Sequence, residues 1–231
     1  MKIIKKLVML IILAITFSSC SQTNNTQNNN NQSEETDWDA YFTKLDNLYK
    51  NTVTINTSNI ELSDGTWILK KYRAEKYTEN EIFWDRKDIE QIDWNVSNNN
   101  CTCIKFFNED YGHANFLPGT DESKIQYYYN DALEWQAEIK AKDPDYNTIV
   151  YKKDNVVAAI VNYTYDNPTF IDPITVSEIN QTYIPTSGEN ITIKRNNEKS
   201  VYIIKYSSQC MEGEDDSIPT TSYCAYYFIK Q

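Results

Sequence analysis

Residues 148–165 read TIVYKKDNVVAAIVNYTY, and this stretch decides the fold class. β-Branched and aromatic residues dominate Thr148–Tyr151 and Val156–Tyr165, with the pair Asp154-Asn155 between them. Branched side chains pack well on a pleated surface, and Asn and Asp tolerate the backbone of a tight turn, so the two runs read as a hairpin. Its second strand is apolar at consecutive positions, which predicts burial on both faces.

The pattern continues in both directions. Downstream, Ile191–Arg195 and Ser200–Ser207 flank Asn196-Asn197-Glu198-Lys199 as another hairpin, and Tyr223–Ile229 is a closing strand. Upstream, Trp67–Tyr72, Glu81–Trp84 and Cys103–Phe107 are short apolar or aromatic runs. Leu133, Trp135, Ala137 and Ile139 alternate with Glu134, Gln136, Glu138 and Lys140, which predicts a strand after an Asn130-Asp131 turn. Roughly ten such strands predict an all-β, mainly antiparallel domain, either a barrel or a sandwich. One N-terminal helix is expected, because Trp38, Tyr41, Phe42, Leu45, Leu48 and Tyr49 recur at helical spacing behind Thr36 as N-cap.

Outside this domain, residues 37–231, lie two segments of different character. Residues 21–36, SQTNNTQNNNNQSEET, hold nothing apolar, so ordering them would gain too little burial to offset the entropy lost. They read as a flexible spacer. Residues 1–19 carry Lys2, Lys5 and Lys6, an apolar run from Leu7 to Ile15, and Ser18-Ser19 just before Cys20. A charged start, a short apolar core and small residues at a cleavage point make an export signal; the run falls short of the roughly 20 apolar residues a spanning helix needs.

Charge and cysteines narrow the function. The whole chain has 22 basic and 33 acidic residues; without the three lysines of residues 1–19, the balance is near −14. That excess argues against nucleic acid, whose phosphates are met by Lys and Arg. Eighteen tyrosines and five tryptophans supply a β-core and cross-strand pairs, or line a ligand site. Cys101, Cys103, Cys210 and Cys224 are an even number in an exported chain and predict two disulfides. Three connectivities are open; the spacing leans towards Cys210–Cys224, because Cys101 and Cys103 on one extended strand would be about 6.6 Å apart. One histidine and no Cys-x-x-Cys pair leave no usual zinc ligand set, and no metal or other cofactor is expected.

Two resemblances add to this reading. Phe17-Ser18-Ser19-Cys20 resembles the lipobox of bacterial lipoproteins, with Phe17 where that family prefers Leu. The resemblance implies that Cys20 becomes the mature N-terminus, carries acyl chains and holds the protein at a membrane. Ser21, which is not the retention-type Asp, resembles sorting to the outer membrane, at its periplasmic face or the cell surface. Gly65-Thr66-Trp67, ahead of Ile68–Tyr72, resembles the GxW signature of lipocalins, and Ile104–Gly112 looks like a strand-and-turn segment of lipocalin-like lipoproteins. That likeness implies a closed up-and-down barrel able to hold a small ligand. It makes Gly65 and Trp67 structural residues of the barrel floor, with Lys230 as the basic residue near the end of the last strand.

Little points to catalysis. His113, in Tyr111-Gly112-His113-Ala114-Asn115, is placed in a turn, and no Gly-x-Ser-x-Gly elbow accompanies it. Glu212-Gly213-Glu214-Asp215-Asp216 offers oxygens for calcium without the spacing of an EF-hand loop. Asp85, Asp88, Glu90 and Asp93 are scattered acids in a segment that also holds Arg86 and Lys87. Three functions follow. The first is a non-catalytic lipoprotein binding a small apolar or amphiphilic ligand in a lipocalin-like barrel. The second is an interaction module or surface antigen that meets another envelope protein. The third, an enzyme, is not expected.

Overall fold

The computed structural model describes residues 38–57, 59–79, 81–142, 146–186, 189–212 and 218–231. Three helices accompany ten strands: α1 (Trp38–Leu48), β1 (Val53–Thr54), β2 (Gly65–Glu79), β3 (Ile82–Ser97), β4 (Asn100–Phe116), α2 (Glu122–Lys142), β5 (Asn147–Lys153), β6 (Val156–Asp166), β7 (Ile174–Thr175), α3 (Val176–Tyr183), β8 (Glu189–Arg195), β9 (Val201–Glu212) and β10 (Ile218–Lys230). All strands join one antiparallel sheet in the order β1-β8-β9-β10-β2-β3-β4-β6-β5, with β7 paired to the start of β4. The described sheet and its helical covers lie within residues 38–231.

Turn chemistry sets the register. Asn98 and Asn99, both at positive φ (50° and 65°), make the two-residue link between β3 and β4 that matches strand twist. Asp154 (φ 52°) turns the β5–β6 hairpin. The Asn196 side chain accepts from the Ser200 and Val201 amides (2.9 and 3.0 Å) to close β8–β9. A bulge opposite Asp93/Trp94 leaves Ile104 without a partner, so Cys103 and Phe106 face the same side.

One cluster gathers Ile193 and Tyr202 of β8 and β9 with Phe106 and Tyr163 of β4 and β6, so the sheet curls around this side. On the concave face, α3 lays Val176 and Ile179 over Trp67, Leu69, Trp94 and Phe228. A capping box starts α3: Thr175 accepts from the Glu178 amide, and the Glu178 carboxylate accepts from the Thr175 amide. At the other end of the same face, α2 packs Ile125, Tyr128 and Ala132 on Trp84, Ala114, Phe116 and Val157, and Trp135 and Ile139 on Ala159 and Val161. On the convex face, α1 sets Phe42 and Leu45 against Tyr72, Ile89, Ile203 and Tyr227.

Several expectations need correction. The sheet has free ends at β1 and β5, so it is neither a closed barrel nor a two-sheet sandwich. Leu133–Lys140 belongs to α2, as do Tyr127–Tyr129 and Asn130-Asp131. The chain has three described helices rather than one. His113 lies in strand β4, not in a turn. Ile104–Gly112 is strand throughout, with no turn, and Glu81 lies in the turn before β3; the other strand assignments and α1 hold, and Thr36 lies outside the described residues.

Candidate functional site

Between the apolar clusters under α2 and α3, the concave face carries a block of charge. The register puts Lys71 opposite Glu90, Arg73 opposite Asp88, and Glu75 opposite Arg86. It continues onto β4, where Asn108, Asp110 and Gly112 stand opposite Glu90, Asp88 and Arg86. On β10, Tyr226, Cys224 and Ser222 flank Lys71, Arg73 and Glu75. Three cations and four carboxyl groups thus occupy neighbouring positions on one face.

Their pairing is dense. Glu75, 3 % exposed, accepts from Arg73 and from the Ser222 hydroxyl, and its second oxygen accepts from Arg86 Nη1 at 3.1 Å. Lys71 Nζ lies 3.4 Å from Asp88 and 3.7 Å from Glu90. Burial works against the Lys71 ammonium, but Glu90 and Asp88 outweigh it and hold its pKa above the ordinary lysine value. Burial also raises the Glu90 carboxyl, against the pull of Lys71. Asp110 shares a hydrogen bond with Asp88; burial first, and then the Asp88 charge, push Asp110 up to about 8. At neutral pH the two aspartates therefore hold one proton as a pair. With it in place, the pair carries one negative charge beside Glu75, Glu90 and the three cations.

Tyrosines border this block. Tyr163 stands opposite Asn108, Tyr183 at the end of α3 meets Tyr226 edge-on at 5.4 Å, and the Tyr206 and Tyr226 hydroxyls are 2.8 Å apart. Burial pushes Tyr226 up to about 12. The block remains reachable from solvent, because the Arg73 side chain is 43 % exposed. The arrangement therefore offers a polar end, lined by paired donors and acceptors, next to aromatic rings. A cavity of about 230 Å³ lies elsewhere, on the convex side between the end of α1 and β8–β9, where Asp46 already pairs with Lys205.

The residues singled out from the sequence have other places. Trp67 is fully buried, and its indole N–H donates to the Ser63 carbonyl at 2.8 Å. Gly65 has φ +131°, and a Cβ there would lie 3.1 Å from Lys230 Cε. Lys230 is opposite Trp67 in register and donates to Ser63 Oγ at 2.8 Å. Cys101, Cys103 and Cys224 are buried free thiols. The register does not bring the expected Cys210–Cys224 pair together: Cys210 is opposite Thr220 and Cys224 opposite Tyr206, four positions or about 13 Å apart along the ladder. Burial pushes the Cys101 and Cys103 thiols up to about 11.

His113 lies on the convex side, hydrogen-bonded to Tyr111 (2.9 Å) and Tyr151 (3.0 Å), and belongs to a buried polar strap far in role from the charged block. Among the scattered acids, Asp88 and Glu90 enter the block, while Asp85 and Asp93 have the parity of the opposite face. Cys20 and residues 213–216 of the acidic run lie outside the described residues. The described residues contain no group of three or more metal-ligating side chains. The chain matches no protein-family model and no curated protein, so the reading of this site rests on its geometry.

Proposed function

We propose that this chain is a lipid-anchored binding protein of the bacterial cell envelope, non-catalytic, which takes a small amphiphilic molecule on the concave face of its sheet. The observation that carries this reading is the charge block of Lys71, Arg73, Glu75, Arg86, Asp88, Glu90 and Asp110, set between apolar clusters and bordered by tyrosines. Burying paired charges adds little or no net stability compared with apolar residues of the same volume. Such a block is better accounted for by recognition of a polar group. A wholly apolar ligand laid over the block would take the exposed part of Arg73 out of water and offer it no hydrogen bond in exchange, so the amphiphile is preferred to it.

The lipocalin likeness is supported by the pairing of the first long strand with the last, β2 with β10, and by Trp67 beneath the Lys230 end of that pair. On this reading the fold is a lipocalin-like meander opened at β1 and β5. Attachment comes from acyl chains on Cys20, and no described helix is long and apolar enough to cross a membrane. An enzyme reading has one observation in its favour, the aspartate pair with its shared proton. Binding is preferred because the sole histidine faces the other way and the thiols are buried with raised pKa values.

Native mass spectrometry of residues 37–231, secreted into an oxidising compartment, tests the proposal. A co-purifying molecule lost on denaturation, or saturable uptake of an added amphiphile, is the expected result. A protein that stays empty across single-chain amphiphiles of differing headgroup overturns it.

A further inference from the structure

The cavity of about 230 Å³ on the convex side is built from two directions. Strands β8 and β9 make its floor. Their register sets Lys194 opposite Ile203 and Thr192 opposite Lys205, so these four side chains share one face. The segment after α1 makes its wall with Tyr49, Lys50 and Thr52, and Asp46 of the helix completes the lining. Its size falls below the roughly 300 Å³ at which pockets for drug-sized ligands begin, so it suits a small molecule.

Charge sets this cavity apart. Three lysines line it against one carboxylate, in a chain where acids outnumber bases 33 to 22. Asp46 is fully used: one oxygen takes Lys205, and the other accepts from the Tyr227 hydroxyl at 2.6 Å. Lys50 and Lys194 have no carboxylate partner among the described residues, whereas Lys87, further along α1, is paired with Asp39. The C-terminal carbonyls of α1 bring only about half a negative charge to this end, which leaves a surplus of more than one positive charge. The Thr52 hydroxyl has no partner among the described residues, and that of Thr192 donates only at 3.5 Å, to the Asn190 carbonyl.

Ammonium groups are compact charges with three rotatable donors each, and they suit oxygens grouped around one centre. A carboxylate pairs best with the planar fork of Arg, which this cavity lacks. A phosphate monoester carries about −1.5 to −2 at neutral pH, which matches the surplus. Independently of the amphiphile site, we infer that this cavity binds a phosphate monoester group, held by Lys50 and Lys194, with Thr52 donating to a further oxygen. Lys205 stays with Asp46. The group comes from a soluble ester or from the head of a lipid.

Calorimetric titration of the full chain, purified in a nonionic detergent, tests this. The probes are glycerol 3-phosphate as the soluble ester, dihexanoyl phosphatidic acid as the lipid, and succinate as a dianion without phosphorus. Saturable binding of at least one ester is expected, with succinate weaker. Lys50→Gln and Lys194→Gln should each weaken it about tenfold. Lys142→Gln, which removes the same charge from the exposed end of α2, should leave it unchanged. Tighter binding of the lipid, with the same dependence on both lysines, makes a membrane lipid the source; equal or weaker binding makes the soluble ester the source, and either upholds the site. The site is overturned if neither ester binds, if Lys50→Gln and Lys194→Gln bind as the parent does, or if Lys142→Gln weakens binding equally. Succinate binding as tightly as the esters overturns the phosphate assignment. Amphiphile uptake on the concave face is untouched by any of these results.

Discussion

On the convex face the polar groups that meet α1 are answered by the helix: Asp39 takes Tyr72 and Lys87, Trp38 donates to Glu109, Tyr41 accepts from Lys70, and Asp46 takes Tyr227 and Lys205. On the concave face the charges answer one another across β2, β3 and β4, and neither α2 nor α3 supplies the main partners. Polar contacts that clamp a helix to a sheet serve stability. A block of charges paired among themselves, left at the middle of an aromatic face, is suited to a ligand. The contrast separates what holds the fold from what it presents.

The largest effect should come from the clamp. Phe42, 5 % exposed, stacks on Tyr72 at 4.6 Å and meets Tyr227 at 5.5 Å. Phe42→Ala should cost about 3 to 4 kcal/mol in urea denaturation, with amphiphile binding unchanged in the protein that remains folded. Loss of binding in step with α1 packing would break the division between the faces. Next is Glu75→Gln, which leaves Arg73 and Arg86 without their carboxylate. Breaking a buried pair costs several kcal/mol; the exposure of Arg73 reduces this to about 3 kcal/mol here, and binding should fall as well. A variant as stable as the parent would mean that the block is solvated like an ordinary surface.

Asp110→Asn should be smaller and depends on pH. The folded protein keeps a proton on the Asp88–Asp110 pair that the unfolded chain releases near pH 4, because burial and Asp88 raise Asp110 to about 8. Between those values the unfolded state binds fewer protons, so stability falls as pH rises through the window and levels off above 8. Arg86 and Lys71 face the same carboxyl and pull the other way without cancelling the shift. The asparagine imitates the protonated form and should escape this loss. Its melting temperature should exceed the parent's by about 2 to 4 °C at pH 8, the shift that about 1 kcal/mol makes at this size, and the gap should shrink towards pH 5. A gap independent of pH would remove the shared proton from the account.

Much of the sheet was legible because its hairpins carry their own turns. The exception is Asn98-Asn99, which fixes the longest hairpin and through it the register of the block. The block itself left a readable trace. Every second residue from Trp67 to Tyr77 reads Trp-Leu-Lys-Arg-Glu-Tyr, and from Trp84 to Trp94 reads Trp-Arg-Asp-Glu-Ile-Trp. Charges bracketed by aromatics at strand spacing belong to an inward face. They were missed because Lys70, Lys76, Asp85 and Lys87 sit between them on the other face, so the local sequence looks like a solvated loop. The α2 error has a different cause. Over Leu133–Lys140, Trp135 and Ile139 fit both periods, whereas Ile125, Tyr128, Ala132, Trp135 and Ile139 together fit only the helix. A two-residue period on eight residues was too short a window. The Cys210–Cys224 lean parts from the register for a third reason: sequence spacing counts residues around a loop, and the ladder slides Cys210 past Cys224.

The smallest expected effect concerns those thiols and sharpens the contrast from the side of stability. A Cys210–Cys224 bond would close a 15-residue loop and contribute about 3 kcal/mol in the loop-entropy model. Without it, adding reductant to residues 37–231 should leave the melting temperature unchanged. Cys101, Cys103 and Cys224 should react with a thiol reagent only as the sheet opens, since all three are buried and burial raises their pKa values, keeping them in the unreactive thiol form. A fall of several degrees on reduction would mean that a covalent link holds β9 and β10 in a different register. Because Cys224 stands beside Arg73 on the concave face, such a slip would also displace Ser222 from Glu75. The charged block as described therefore requires the reductant to do nothing.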